Sequence, residues 1–315
     1  MAAARISLWK FGGLTPLKLL RRVGCKAGDD AIFGHAAELS YYFLFALFPL
    51  LLFMVSLLGI FAAPGTAVHD SLFTYMARML PPASWTLIKK TLGEVHRAAG
   101  GGKLFFGIVT ALWAASSGMS QICTTLNAVY HVKETRPWWR RQLIALALTV
   151  AIAVIVIVAI TLILFGEKIA DLVAAHVGFG SVFTIAWKVL QWPVAAGFML
   201  VAFALIYYFA PNIREPEWYW ITPGAVTGFV LWFLSSVMFR IYLRYFNNYS
   251  ATYGSLGAVI VLMLWFYLSG AAVLLGGEVN SQIGEAGDAA AKLETELKKL
   301  SIPIEDYGVT KDVAA

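Results

Sequence analysis

Three groups of side chains in this chain have the types and spacing to do chemistry. His35 and Glu38 stand one helical turn apart, with Tyr42 and Pro49 on the same face. Further on, Ser116, Ser117, Ser120, Gln121, Cys123, Thr124, Thr125 and Asn127 interrupt an apolar run. At about 100° per residue, Ser116, Ser120, Cys123 and Asn127 fall on one narrow helical face. Glu278 follows another apolar run, and Asn280 lies just beyond it. Carboxylates at membrane depth are costly and turn toward a bundle interior, a cavity or a partner. Together, His35, Glu38, Ser116, Ser120, Asn127, Glu278 and Asn280 are expected to form a polar vestibule on the cytoplasmic side. It would bind an ion, a proton or a polar head group, with Arg136 and Arg140 as candidate partners of the carboxylates. Two plainer readings compete: a small-residue packing face with interhelical hydrogen bonds, and glutamates that mark helix ends at headgroup level.

Catalytic and metal patterns are missing. The five histidines, His35, His69, His96, His131 and His176, are scattered, with no HExxH and no Cys/His pair at zinc spacing. No GxxxxGK[ST] loop is present, so no cofactor, metal or catalytic residue is assigned. Cys25 and Cys123 read as unpaired thiols. The net charge of +6 does not indicate nucleic acid, because Lys and Arg lie at the ends of apolar segments.

The elements that must position these groups are membrane helices. The chain is 60% hydrophobic and 13% charged, about half the charge of a soluble domain. Six segments have no Asp, Glu, Lys or Arg and suffice for a span of about 20 apolar residues. They are Leu39–Phe61, Leu104–Val129, Leu143–Phe165, Val189–Ala210, Ile221–Phe239 and Leu256–Gly277. Residues inside lipid must satisfy their backbone internally, which selects helices. The expected fold is therefore all-α: a polytopic bundle of six transmembrane helices with short interfacial helices. Residues 1–34 form a basic leader, 35–284 the membrane domain and 285–315 a charged tail. With the N-terminus inside, fifteen Lys and Arg fall on the cytoplasmic side and nine on the other, so both termini are expected to be cytoplasmic. Surface helices are expected within Ala62–Lys103, over Glu167–Val177 and over Asp288–Leu300. Pro49 and Pro193 are expected to interrupt the first and fourth spans, a hint of inverted halves. Gly224, Gly228, Ala272 and Gly276 have helix-packing spacing.

Several strings resemble the YihY/BrkB family of bacterial inner-membrane proteins. They are AAELSYYFLFALFPLLL (Ala36–Leu52), LWAASSG (Leu112–Gly118), LNAVYHVKETRPWWRRQ (Leu126–Gln142), YYFAPN (Tyr207–Asn212) and NYSATYGSLGAVIVLMLWFYLSGAAVLLGGEVN (Asn248–Asn280). The resemblance runs from Gly34 to Ile283. It implies a six-span inner-membrane fold and brings a virulence-related label and an old ribonuclease label. No residue pattern here supports the ribonuclease label, and no catalytic residues carry over. The expected function is a transporter or flippase-like protein for an ion or an amphiphilic envelope component. The alternatives are a non-catalytic membrane scaffold and, more distantly, a membrane-embedded hydrolase. Membrane lipids are the expected partners, a homo-oligomer is left open, and no nucleic acid is expected.

Overall fold

A computed structural model describes residues 8–61, 101–177, 180–213, 221–245 and 255–299. Every regular element among them is helical: a 3-10 turn at Leu8–Gly13, then α1 (Pro16–Asp29), α2 (Ile32–Phe61), α3 (Gly101–Val129), α4 (Trp138–Val177), α5 (Gly180–Phe209), α6 (Pro223–Tyr245) and α7 (Ser255–Lys299). The long helices α2 to α7 sit where the six apolar segments stand. Four stretches, in α4, α5, α6 and α7, are long and apolar enough to cross a membrane, and α2 adds a shorter apolar stretch over Ile32–Leu47. The chain is a polytopic all-α membrane protein.

Helix boundaries depart from expectation in three ways. Pro49 and Pro193 lie inside α2 and α5, which continue through them. The stretch Glu167–Val177 continues α4 as one 40-residue helix. Likewise Asp288–Lys299 extends α7, whose 45 residues correspond to about 67 Å at 1.5 Å per residue. That is about twice the hydrocarbon thickness, so much of α7 must lie outside it. The surface helices expected within Ala62–Lys103 lie almost wholly outside the described residues.

The leader folds as well. Thr15 caps α1, its hydroxyl accepting from the Lys18 amide at 3.4 Å, and Pro16 supplies the first-turn residue. Leu19, Val23 and Ala27 then share one buried face, and the first two meet Val279 and Ile283 of α7. The preceding turn lies still closer to α7. Gly12 has φ +61°, and a Cβ there would sit 2.6 Å from the Ile283 carbonyl oxygen, so only glycine fits both the backbone angle and the approach.

α7 is the hub, touching α6, α2, α3, α1 and the 3-10 turn, while α4 packs on α5 and α3. Lipid gives helices little hydrophobic reason to associate, so close backbone approach and hydrogen bonds must hold them. The α6–α7 crossing shows both. A Cβ on Gly224 would lie 2.2 Å from the Gly276 carbonyl oxygen, and one on Gly276 would lie 2.9 Å from Gly228 Cα. Ala272 is buried on the same helix. Beside the crossing, the Tyr207 hydroxyl donates to the Val273 carbonyl at 2.8 Å. Away from this seam α6 is open: Val230, Phe233, Leu234, Val237, Met238 and Ile241 are exposed, as a lipid-facing surface requires.

Candidate functional site

Glu278, Gln282 and Glu285 recur at i, i+4 and i+7 on α7 and therefore share a face. Glu278 is fully buried. Its Oε1 accepts from Gln282 Nε2 at 2.9 Å, whereas its Oε2 has no donor. Gln282 is held in turn by Arg22 of α1, whose Nε donates to Gln282 Oε1 and whose Nη2 donates to Glu285 Oε2 at 3.0 Å. Glu285 Oε1 stands 3.4 Å from His131 Nδ1, and His131 Nε2 stands 3.0 Å from Asp30 Oδ1. Asp30 Oδ2 is buried without a donor. Five charged or titratable side chains from α1, the α1–α2 connection, the α3–α4 connection and α7 thus form one chain of contacts ending at Glu278.

Each part has a local cause. The α1 face that buries Leu19 and Val23 swings Arg22 toward α7. Asp30 occupies the C-cap of α1. His131, at φ 51°, ends α3 in the left-handed conformation common at helix ends. With carboxylates at both ring nitrogens, only the doubly protonated imidazole can donate to both.

A second cluster lies at the same end of the bundle and is closed. Arg136 donates to Glu134 through Nε at 2.9 Å and Nη2 at 2.8 Å, and its own amide adds a third bond at 3.0 Å. Asn127 Nδ2 supplies a fourth at 2.9 Å. The Arg136 guanidinium, with its backbone amide, holds the Glu134 carboxyl down to about 2 and is itself pushed above its ordinary value. Arg136 also donates to the carbonyls at the end of α5, those of Phe209 and of Ala210 just beyond it, where a cation is favourable. Asn212 completes the latch. Its amide donates to Asn127 Oδ1 at 2.7 Å, and its side chain donates to the Lys133 carbonyl and the Thr135 hydroxyl.

The residues singled out from the sequence therefore separate into distinct sets. His35 and Glu38 contact each other at 3.2 Å, and Gln121 Nε2 donates to Glu38 at 2.6 Å. Ser116 accepts from Gln142 at 2.6 Å, joining α3 to α4. Ser120 is half-buried, its carbonyl accepting from Thr124. Asn127 belongs to the latch. Asn280 accepts from the Gly224 amide at 2.8 Å and donates to the Thr222 hydroxyl at 3.0 Å, securing the start of α6. Only Glu278 enters the Arg22–His131 chain. Arg136, expected beside Glu38 or Glu278, is engaged with Glu134 instead, and Arg22 from the leader takes the place by Gln282. Both cysteines are free. Among the described residues, no three His, Cys, Asp or Glu side chains are grouped to hold a metal ion.

Asp30, His131, Gln282, Glu285 and Arg22 were not among the sequence candidates. The Glu278–Gln282–Glu285 stripe was visible as a helical spacing, but nothing in the spacing pairs it with Arg22, 260 residues away.

The helices, with a buried Glu278 linked to a half-exposed charged cluster, define a polytopic membrane protein. More particularly, the chain belongs to the family described as "Virulence factor BrkB", which matches residues 25–300. It is similar to the "Putative ribonuclease-like protein YfkH" of Bacillus subtilis, 37% identical over 246 residues, covering 78% of this chain and 88% of the relative. It is also similar to UPF0761 membrane proteins. The one from Xanthomonas oryzae pv. oryzae is 26% identical over 295 residues, covering 90% of this chain but 63% of the relative. That from Pseudoalteromonas translucida is 27% identical over 271 residues, covering 81% of this chain and 82% of the relative. No solved structure matches the chain.

Proposed function

We propose that this chain is a transport protein of the bacterial inner membrane, moving an ion or an amphiphilic envelope component, with both termini cytoplasmic. One observation carries this reading: Glu278, a fully buried carboxylate at the end of the apolar stretch of α7, keeps one oxygen without a donor. A structural carboxylate at such depth needs full pairing to offset desolvation, so an incompletely paired one points to a working group. Its position supports the reading too. Glu278 stands 23 residues into α7, about 35 Å along the helix axis, near the inner limit of the hydrocarbon layer. The ribonuclease-like name of the Bacillus relative is not adopted, because no residue pattern in the chain supports phosphodiester cleavage.

The test uses purified protein in vesicles of phosphatidylethanolamine and phosphatidylglycerol. One assay follows fluorescent phospholipid crossing the bilayer, and the other follows internal pH. The reading expects at least one signal above empty vesicles, abolished in Glu278→Gln. Silence in both assays from folded protein would leave the scaffold reading in its place.

A further inference from the structure

We propose that Glu278 is a proton-binding site, loaded and emptied at the α1 end of the bundle through His131 and Asp30. Resting on the transport reading above, we further assign this proton as the coupled ion. The geometry selects a proton over other ligands. An anion would meet the carboxylates of Asp30, Glu278 and Glu285. A metal cation lacks a three-ligand group among the described residues and would meet Arg22 within the same cluster. A proton needs one oxygen, and Glu278 Oε2 and Asp30 Oδ2 are buried acceptors with no donor.

The surroundings of Glu278 leave room for a neutral state. α1 brings Arg22, but Gln282 stands between its guanidinium and Glu278, so a neutral amide is the donor that Glu278 receives. The α1–α2 connection brings Asp30 and the α3–α4 connection His131, both interacting electrostatically with Glu278, as does Glu285 on its own helix. Tyr130, just past the end of α3, also faces this region, hydrogen-bonded to Asn280. On α2, His35 and Glu38 are engaged with each other and with Gln121. At the start of α6, Thr222 and Gly224 are neutral and engage Asn280. The buried Tyr207 hydroxyl of α5 is committed to the Val273 carbonyl.

Solvent protonates His131, whose side chain is 43% exposed. The imidazolium gives its Nε2 proton to Asp30 Oδ1 and returns to neutral imidazole. Asp30, now a carboxylic acid protonated at Oδ1, turns its carboxyl group so that the protonated oxygen takes the Oδ2 place, and passes that proton to Glu278 Oε2. Asp30 is left ionised and Glu278 neutral, and release runs the same steps backwards.

Infrared difference spectroscopy of the full chain in lipid, titrated from about pH 5 to about pH 9, reads the proton directly and independently of transport. The expected result is one carboxylic-acid carbonyl band that disappears with rising pH and is missing in Glu278→Gln. Asp30→Asn should keep the band but lose it about one pH unit earlier, because the neighbouring negative charge is gone. This second variant leaves Glu278 untouched and keeps the test decisive if Glu278→Gln folds poorly. No titrating band in the wild type, a band that survives Glu278→Gln, or one that Asp30→Asn does not move would each overturn the proton site. A band that behaves as expected beside silent vesicles would instead defeat the transport reading and leave the proton site standing.

Discussion

Glu134 and Glu278 lie at the same end of the bundle, yet the protein surrounds them in opposite ways. Glu134 is reached by a guanidinium fork, a backbone amide and an asparagine, in the charge-assisted bidentate geometry that favours a permanently ionised carboxylate. Glu278 is more deeply buried but receives one neutral amide and keeps a bare oxygen. Arg22 is held one side chain away, on Gln282 and Glu285. Burial alone therefore says little about what a carboxylate is for; the number and charge of its donors say more. The first arrangement ties the α3–α4 connection to the end of α5. In the second, the carboxylate has a single neutral donor and one unpaired oxygen, so it adds little to the fold.

The largest expected effect follows from breaking the closed latch. Arg136→Ala leaves Glu134 partly buried without its cation and uncaps the last carbonyls of α5, a loss of about 3–5 kcal/mol. It should appear as a large fall in thermal midpoint in detergent or lipid. A loss below about 1 kcal/mol would erase the distinction between the clusters.

Acid should open the same latch. The Glu134 carboxyl is lowered in the folded protein from 4.5 to about 2, so the folded state holds its proton more weakly than the unfolded chain. Its contribution is fully present above about pH 4.5 and is lost as pH falls from there toward about 2, amounting to roughly 3 kcal/mol. Glu134→Gln should flatten stability against pH in that window. A variant with an unchanged acid profile would place the sensitivity elsewhere.

Glu278→Gln should change folding stability by less than about 1 kcal/mol in either direction, because one amide hydrogen bond is exchanged for another. The smallest effect belongs to Glu38→Gln. Glu38 is 44% exposed at its side chain, and such contacts contribute within about ±0.5 kcal/mol. A large loss there would mean that the His35–Glu38–Gln121 contact is a structural fastening of α2 to α3.

The helices were legible in advance because long uncharged runs in lipid have one backbone solution. Their ends were not. The Glu167–Val177 and Asp288–Lys299 stretches read as separate helices by polarity, yet nothing in them breaks the backbone, so α4 and α7 run on. In the leader, the positive charge masks the Thr15–Pro16 start and the Leu19, Val23, Ala27 spacing that fold it onto α7. Within the site, Glu278 was found because a carboxylate after an apolar run is conspicuous. Its partners were missed because Arg22, Asp30 and His131 are polar residues in polar segments, where composition raises no signal. Arg136 was noticed for its charge but expected beside another glutamate, since proximity in the folded chain does not follow from sharing a membrane side.

The central claim is that Glu134 is kept for the fold and Glu278 for function. Its most direct test is the paired thermal stability of Glu134→Gln and Glu278→Gln in the same lipid at neutral pH. The account predicts a loss of about 2 kcal/mol or more for Glu134→Gln, with Glu278→Gln within about 1 kcal/mol of the unsubstituted protein. Equal and large losses in both would show that Glu278 is also a structural carboxylate and would contradict the account.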